Sequence, residues 1–461
     1  MPLTSGAATE EGATSGRQTV PPVVAYVLLW FPLSSETFIF REVVQLRKRG
    51  MPVFAYSMYG ENLKGCSEEM CAYDGPVGRM GVRAAGRILG AFMRALRQRP
   101  GATWKLMREG FFRRMRNLEA LGENIWCFLA GFLLAEKCRE DGVQLIHAGW
   151  ANGPATAAWV ASRVTGIPFA FTGRAGDIYP EDGLLKEKSR DALFIRTNNR
   201  TNVQWLRGFC PPDATDKVHA IYNSLTFSPR GQCAMHMQPP YRLLAVGRFA
   251  RTKGFPDLLT AMARLRRENV PVTLTLVGDG NWHRKLVKLR DDLGLTQAVD
   301  MPGFIPHDKI RCFMLDHDML IMPSVVHTNG DRDGIPNVIM EALSHRMPVI
   351  STDVCGIAEV VMDGETGLLV PQRDPRALAD AVRRMAADRD AALAMAEAGR
   401  AHVEKLFDPT RNITAVYDLY VDQCAKAAGS VDVDEAAVPA SGGPQEKISG
   451  PACADAEKEE L

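Results

Sequence analysis

The chain has 461 residues, 46% of them apolar and 24% charged, and a formal net charge of +1 at pH 7. That length accommodates two domains, each able to bury its own core, and the balanced charge argues neither for nucleic acid nor for acidic substrates. No apolar run reaches the ~18 residues that span a bilayer; the longest candidate, Ile125 to Ala135, reads as a buried helix.

The first 20 residues are rich in Ser, Thr, Gly and Ala and contain no apolar core, so residues 1–20 are expected to form a disordered tail rather than a signal peptide. Val23 to Leu29 is a continuous apolar run, as in a buried parallel strand. The loop Trp30 to Ser35 follows. Glu36 to Arg49 predicts a helix with Ile39, Phe40, Val43 and Leu46 on one face, ended by Gly50. Pro52 to Ser57 is a second strand. The first turn of this βαβ unit lacks G-x-G-x-x-G, which disfavours a dinucleotide dehydrogenase.

From Arg79 to Arg116 there are eleven Arg or Lys residues and a single acid, Glu109, with apolar residues interleaved. Two readings stand: basic amphipathic helices resting on an anionic membrane surface (79–116), or a solvated basic face whose apolar side joins the core. Nothing in the segment matches a fold that binds RNA or DNA, so no nucleic-acid role is expected. Further strands are predicted at Val143–Ile146, Phe169–Thr172, Ala192–Ile195 and Val218–Tyr222, with a small-residue helix at Gly153–Val164. The loop Gly173 to Tyr179 leaves the carboxyl end of a strand, where open α/β sheets bind ligands.

Residues 229–240 are polar and Pro-punctuated, as in a linker. The α/β pattern then restarts. Tyr241–Val246 is a strand, followed by Gly247-Arg248, Lys253-Gly254 and a helix over Phe255–Arg267; Val272–Val277 is the next strand and ends at Gly278-Asp279-Gly280. Asp318–Met322 and Pro348–Ser351 are strands flanking a polar loop, and Pro336-Asn337 opens a helix. A helix N-terminus offers free N–H groups and a positive dipole end, which suits a phosphate. Glu341, eight residues past Asp333, stands where it can accept hydrogen bonds from sugar hydroxyls in the same crevice. Helices are also expected over Asp374–Ala387 and Asn412–Lys426, and residues 427–461 read as a disordered tail. The ten cysteines show no C-x-x-C or zinc-like spacing, the pattern of reduced thiols in a cytoplasmic protein.

Taken in order, Gly247-Arg248, Lys253-Gly254, Val277 to Gly280, Pro323-Ser324, Gly334-Ile335-Pro336 and Glu341-Ala342 resemble the family 4 retaining glycosyltransferases. The likeness spans roughly Val23 to Lys426. Through Phe31-Pro32-Leu33-Ser34-Ser35-Glu36-Thr37-Phe38, the first domain resembles the members of that family that assemble exopolysaccharides of the colanic-acid type.

The resemblance implies an α/β GT-B fold: two Rossmann-like domains facing across a cleft, with the last helix crossing back to the first. Residues 21–228, completed by 408–426, would form the acceptor-side domain, and 241–407 the donor-binding domain. It implies a nucleotide-sugar donor, UDP- or GDP-linked, a surface-glycan or lipid-linked acceptor, and no metal or other cofactor. The location would be cytoplasmic, peripheral on the inner face of the plasma membrane. Arg248 and Lys253 look like the cations that neutralise the diphosphate, and Glu341 like the acid on the donor ribose. Asp333 takes the first acid position of the E-x7-E motif, which contacts the transferred sugar. Gly334, Ile335 and Pro336 would place backbone against that sugar, and the amides of Asn337 and Val338 would point to the phosphates.

Two departures accompany these matches. Asp333 replaces Glu, and Arg174 stands where the family pattern His-Ala-x-Asp-Ile-Tyr has its histidine, Asp177 and Tyr179 otherwise fitting. His147-Ala148-Gly149-Trp150 likewise lacks the second histidine of a related pattern. Guanidinium only donates and stays charged, so Arg174 is expected to meet a negative feature rather than act as a base. Asp331-Arg332-Asp333 also spells D-x-D, a metal-holding pattern in another glycosyltransferase architecture. The competing reading of the whole chain is a non-catalytic nucleotide-sugar-binding partner in polysaccharide assembly.

Overall fold

The computed structural model describes residues 20–111, 121–180, 182–225, 227 and 237–435. The first domain carries strands β1 (Val24–Leu33), β2 (Val53–Asn62), β3 (Val77–Arg79), β4 (Leu145–Ala148), β5 (Phe169–Gly173), β6 (Ile195–Thr197) and β7 (Val218–Ala220). They form one seven-stranded sheet in the order β3-β2-β1-β4-β5-β6-β7, every pair parallel. Helices α1 (Thr37–Lys48), α2 (Glu68–Cys71), α3 (Ala85–Gln98), α4 (Pro100–Phe111), α5 (Leu121–Glu140), α6 (Gly153–Thr165), α7 (Leu185–Asp191) and α8 (Arg200–Arg207) connect and cover it.

The second domain repeats the plan with β8 (Tyr241–Val246), β9 (Val272–Val277), β10 (Val299–Gly303), β11 (Met319–Met322), β12 (Val349–Thr352) and β13 (Leu368–Val370). Its six-stranded parallel sheet runs β10-β9-β8-β11-β12-β13. The helices are α9 (Phe255–Arg267), α10 (His283–Asp292), α11 (His307–Asp316), α12 (Asn337–Ser344), α13 (Pro375–Ala387), α14 (Arg389–Leu406) and α15 (Pro409–Glu435). Both sheets are covered on both faces, which is why their strands read as unbroken apolar runs rather than alternating ones.

The structure extends several predicted elements. β1 continues through Phe31-Pro32-Leu33, expected as loop, because Trp30 and Leu33 still pair with Gly60 and Asn62 of β2 across two register shifts. α15 runs past the expected end at Lys426 to Glu435. Most of the linker over 229–240 and the expected tails lie outside the described residues, as does the end of the basic stretch, 112–116.

α15 returns to the first domain as expected for GT-B. Ile413, Val416 and Tyr420 pack with Val24, Tyr26, Leu145 and Phe194, and Arg49 donates to the Thr414 hydroxyl at 2.7 Å. Beneath Tyr420, the Arg196 guanidinium, 1% exposed, binds both oxygens of Glu42 at 2.7 and 2.5 Å, and the Tyr26 hydroxyl donates to Glu42 at 2.8 Å. Burial pushes the Glu42 carboxyl up, but the charge and hydrogen bonds of Arg196 outweigh it and hold the carboxyl at about 2.

Breaking this pair leaves an uncompensated buried cation. Glu42→Ala is expected to cost about 3–5 kcal/mol, read as a lowered midpoint in urea unfolding. Because the folded carboxyl sits below its unfolded range, its stabilisation is present above about pH 4 and is lost as pH falls toward 2. The wild type should show that acid loss and the variant should not.

Candidate functional site

The carboxyl ends of both parallel sheets converge on one crevice, and each candidate residue stands on a loop that leaves such an end. In the second domain the loop after β8 is pressed against its neighbours by glycine. Gly254 has φ +64°, and a Cβ there would stand 1.8 Å from the Pro323 carbonyl oxygen; Gly278 has φ +144°, and its Cβ would stand 1.9 Å from the Gly247 carbonyl oxygen. Only glycine allows both approaches. Phe249 N–H donates to the Asp279 carbonyl at 2.8 Å and Val325 N–H to the Thr252 carbonyl at 2.8 Å, so three loops form one wall.

On that wall Lys253 and Asp333 meet. Lys253 Nζ donates to Asp333 Oδ1 at 2.9 Å, and the buried Ser324 hydroxyl donates to Oδ2 at 2.6 Å. Both oxygens of the shortened acid are therefore held by protein groups. Among the described residues no group of three or more His, Cys, Asp or Glu side chains is placed to hold a metal ion. Arg248 is exposed on the same wall. Gly334 lies beside Asn199 and Ala175 of the first domain, while Ile335 and Pro336 are buried at the start of α12. No side chain caps α12, which begins at Asn337 and Val338, so its first N–H groups remain available to an anion. Glu341 is half-buried further along the same helix.

The first-domain wall differs from expectation at Arg174. Its guanidinium is buried, 4% exposed. It lies 4.6 Å over the Phe38 ring and 4.9 Å over the Trp150 ring, and Nη1 donates to the Gly149 carbonyl at 3.2 Å. A Cβ at Gly149 would stand 2.6 Å from Leu28, so that position has no room for a side chain. Arg174 thus packs against Gly149, the position at which the His147 stretch lacks its second histidine. Asp177 accepts from the backbone N–H of Arg174 at 2.7 Å and of Ala151 at 2.6 Å, tying the two loops together. Burial nevertheless raises its carboxyl to about 6. His147 is fully buried, bonds the Thr172 hydroxyl at 2.9 Å, and is lowered by burial to about 3, so it is a neutral core residue.

Two further residues of the cleft, Glu36 within the Phe31–Phe38 stretch and Glu359 outside any motif, had no expected role in the site. Glu36, at the start of α1, neighbours Arg174 and Asp177, and burial raises its carboxyl to about 7 despite the pull of Trp150 and Arg174. Glu359 joins the domains. Its carboxylate accepts from the backbone N–H groups of Arg200 and Thr201 at 2.9 and 3.0 Å, from the Thr201 hydroxyl at 3.1 Å, and from the Tyr222 hydroxyl at 2.5 Å. An acid at the N-terminus of α8 was the available signal, but it comes from a different domain. Nearby, Arg332 lies 3.9 Å over the Tyr179 ring, so the loops carrying Asp177 and Asp333 touch.

Two Rossmann-like domains with parallel sheets, facing across such a cleft and closed by a returning C-terminal helix, constitute the GT-B fold of glycosyltransferases. Residues 236–402, which hold the second domain, match the family model described as Glycosyl transferases group 1. It is 27% identical, over 84% of its length and 96% of the relative's, to a putative colanic acid biosynthesis glycosyltransferase, WcaL, of Escherichia coli. The Salmonella typhimurium protein of the same name is 28% identical over 77% of this chain and 88% of its own. Among solved structures, Anabaena Alr3699/HepE in complex with UDP and glucose superposes with a TM-score of 0.63 at 16% identity, covering 86% of this chain and 98% of that one. Sucrose-phosphate synthase from Thermosynechococcus elongatus gives 0.66 at 19%, covering 88% and 100%.

Arg174 is separated from the phosphate wall, so Arg174→His is expected to leave nucleotide affinity within about twofold. It removes a desolvated cation from between two rings, an arrangement that contributes about 2 kcal/mol, so the melting temperature should fall. Calorimetry with UDP and GDP, paired with a thermal melt, reads both.

Proposed function

We propose that this chain is a retaining transferase of family 4 that moves a sugar from a nucleoside diphosphate to a glycan or lipid-linked acceptor in exopolysaccharide assembly. The observation that carries this reading is the single wall formed by Arg248, Lys253, Asp333, Glu341 and the uncapped start of α12. Cations and free N–H groups there oppose the charge that develops on a departing diphosphate, and such electrostatic stabilisation is generally the dominant contribution to catalysis of this kind. They supply that charge without a metal, so turnover is expected to survive chelation. A UDP or GDP leaving group fits, and one solved structure of similar fold holds UDP and glucose. The relatives named for colanic acid and amylovoran biosynthesis support a polysaccharide acceptor. An enzyme is favoured over a non-catalytic binding partner because both walls of the cleft are built and in contact.

Association with an anionic membrane belongs to the same reading. α3 buries Ile88 and Ala91 and turns Leu89 and Met93 outward, 56% and 38% exposed, among Arg87, Arg94 and Arg97; Trp104 of α4 is 60% exposed beside Lys105. Apolar side chains on a basic face are what lipid headgroups attract. No helix among the described residues is long and apolar enough to cross a membrane, so contact through this face would be peripheral, and on the cytoplasmic leaflet where anionic lipids and nucleotide sugars are found.

Single Ala substitutions at Arg248, Lys253 and Glu341 are each expected to weaken nucleotide-sugar binding by about 1.5–3 kcal/mol, the scale of a hydrogen bond to a charged group. Unchanged calorimetric affinity in all three folded variants would remove the site assignment. Sedimentation with anionic vesicles tests the surface: binding should fall as salt rises and on replacing Arg83, Arg87, Arg97 and Lys105 with Gln, whereas neutral vesicles should bind weakly throughout.

A further inference from the structure

The crevice contains a second acid whose carboxylate is unlike that of Asp333. Asp331 lies two residues earlier in the same loop, half-buried, with Oδ1 3.8 Å from where a Cβ would stand on Gly176 of the first domain. Because Gly176 has no side chain, the carboxylate reaches the turn between Ala175 and Asp177. It is in no ion pair and accepts from no side chain among the described residues; burial and the neighbouring charge of Asp333 raise its carboxyl, against the pull of Arg248, the backbone N–H of Arg332 and His327. Arg332, the next residue, does not neutralise it, because its guanidinium is turned onto the Tyr179 ring and its Nε donates to the Gly330 carbonyl at 3.0 Å.

Resting on the glycosyltransferase reading, we propose that Asp331 is a specificity-determining residue that reads the transferred sugar and selects a neutral, hydroxyl-rich glycosyl group over one bearing a carboxylate. Selection follows from which groups at this contact can donate hydrogen bonds and which can only accept them. An ionised carboxylate only accepts, and a half-buried one without a side-chain donor gains most from a ligand that brings O–H or N–H groups. Asp333 cannot play that part fully, since Lys253 and Ser324 already hold both of its oxygens. Arg174, the cation that would have welcomed an acidic sugar, is withdrawn between Phe38 and Trp150. At the contact between the two loops Arg332 is turned onto Tyr179, and the carboxylate of Asp331 is the group left without a side-chain partner. A glycosyl carboxylate placed against it would meet a like charge, whereas a hydroxyl would meet an acceptor.

The test uses the full chain and calorimetric dissociation constants for UDP, GDP, UDP-glucose, UDP-glucuronate and GDP-mannose, with wild type and Asp331→Asn, a near-isosteric change. The wild type should bind one of the neutral-sugar nucleotides, and should bind UDP-glucuronate at least tenfold more weakly than UDP-glucose. Asp331→Asn should weaken the preferred neutral-sugar nucleotide about tenfold, narrow the gap to UDP-glucuronate, and keep the affinity for the matching free nucleotide within twofold. Unchanged free-nucleotide binding shows that the variant is folded. Equal loss for free nucleotide and sugar nucleotide, no loss at all, or a wild type that binds UDP-glucuronate as tightly as UDP-glucose would each overturn the assignment to Asp331 while leaving the glycosyltransferase reading intact. A wild type that binds none of the five would overturn that reading, and this inference with it.

Discussion

The carboxylate of Glu359 sets the distance between the two domains, and the site exists only at that distance. One acid from the second domain satisfies two backbone N–H groups at the start of α8, the Thr201 hydroxyl and the Tyr222 hydroxyl, all from the first. Hydrogen bonds to a charged group contribute about 1.5–3 kcal/mol each, less when they share one acceptor and stand at a solvent-exposed rim. Even so discounted, they outweigh the stacking of Arg332 on Tyr179 and the weak contacts of the Tyr179 hydroxyl and Asn202 with the Cys355 thiol at 3.5 and 3.3 Å. A helix dipole adds to the same attraction. With α8 held this way, Asn199, at its N-terminus, lies against Gly356 and Gly334 so closely that a Cβ on Gly356 would stand 2.9 Å from it. The domain contact and the donor loop are therefore one packed unit.

Within that unit, charge is sorted by sheet geometry. Parallel strands all deliver their following loops to the same edge, so the second domain presents Arg248 and Lys253 from the end of β8 and the start of α12 from the end of β11. Asp333 is drawn to Lys253 and Ser324, which keeps the lysine ammonium in place and lowers its cost of partial burial. A phosphate arriving at the wall meets a cation already positioned rather than one that must be ordered on binding.

What was legible in the sequence follows the range of the interactions. Arg248, Lys253, Gly254, Gly334 and Pro336 lie within one loop and one turn of helix of a strand end, so the motifs that carry the resemblance also place them on a common edge. Gly254 and Gly278 entered as motif positions, and their close approaches to Pro323 and Gly247 are visible in the structure alone. The direction of Arg174 was not readable. It depends on Phe38, Gly149 and Trp150, which the ends of β1 and β4 bring beside the end of β5, and on the lack of room for any side chain at Gly149. A motif position told which loop the residue is on, while long-range packing decided which way it faces. Glu359 escaped for the same reason, its partners being more than a hundred residues away. The extension of β1 through Phe31 to Leu33 escaped because a proline normally argues against a strand, yet bulges let pairing resume beyond it.

The fate of Arg174 also shows how a family pattern can change without the fold changing. A buried guanidinium is tolerable only if its charge is met: Glu42 and Asp177 contribute favourable charge beside it, while its Nε and Nη2 have no hydrogen-bond partner among the described residues. The two aromatic faces, Phe38 and Trp150, supply the rest of its favourable surroundings. On the opposite wall no side-chain donor among the described residues reaches Asp331, whose carboxyl is raised by burial and by Asp333 against the pull of Arg248, the Arg332 backbone N–H and His327. The first domain thus keeps its cation buried between two rings, while the second domain leaves an acid at the cleft. On the proposed reading the polarity runs from positive at the nucleotide to negative at the sugar.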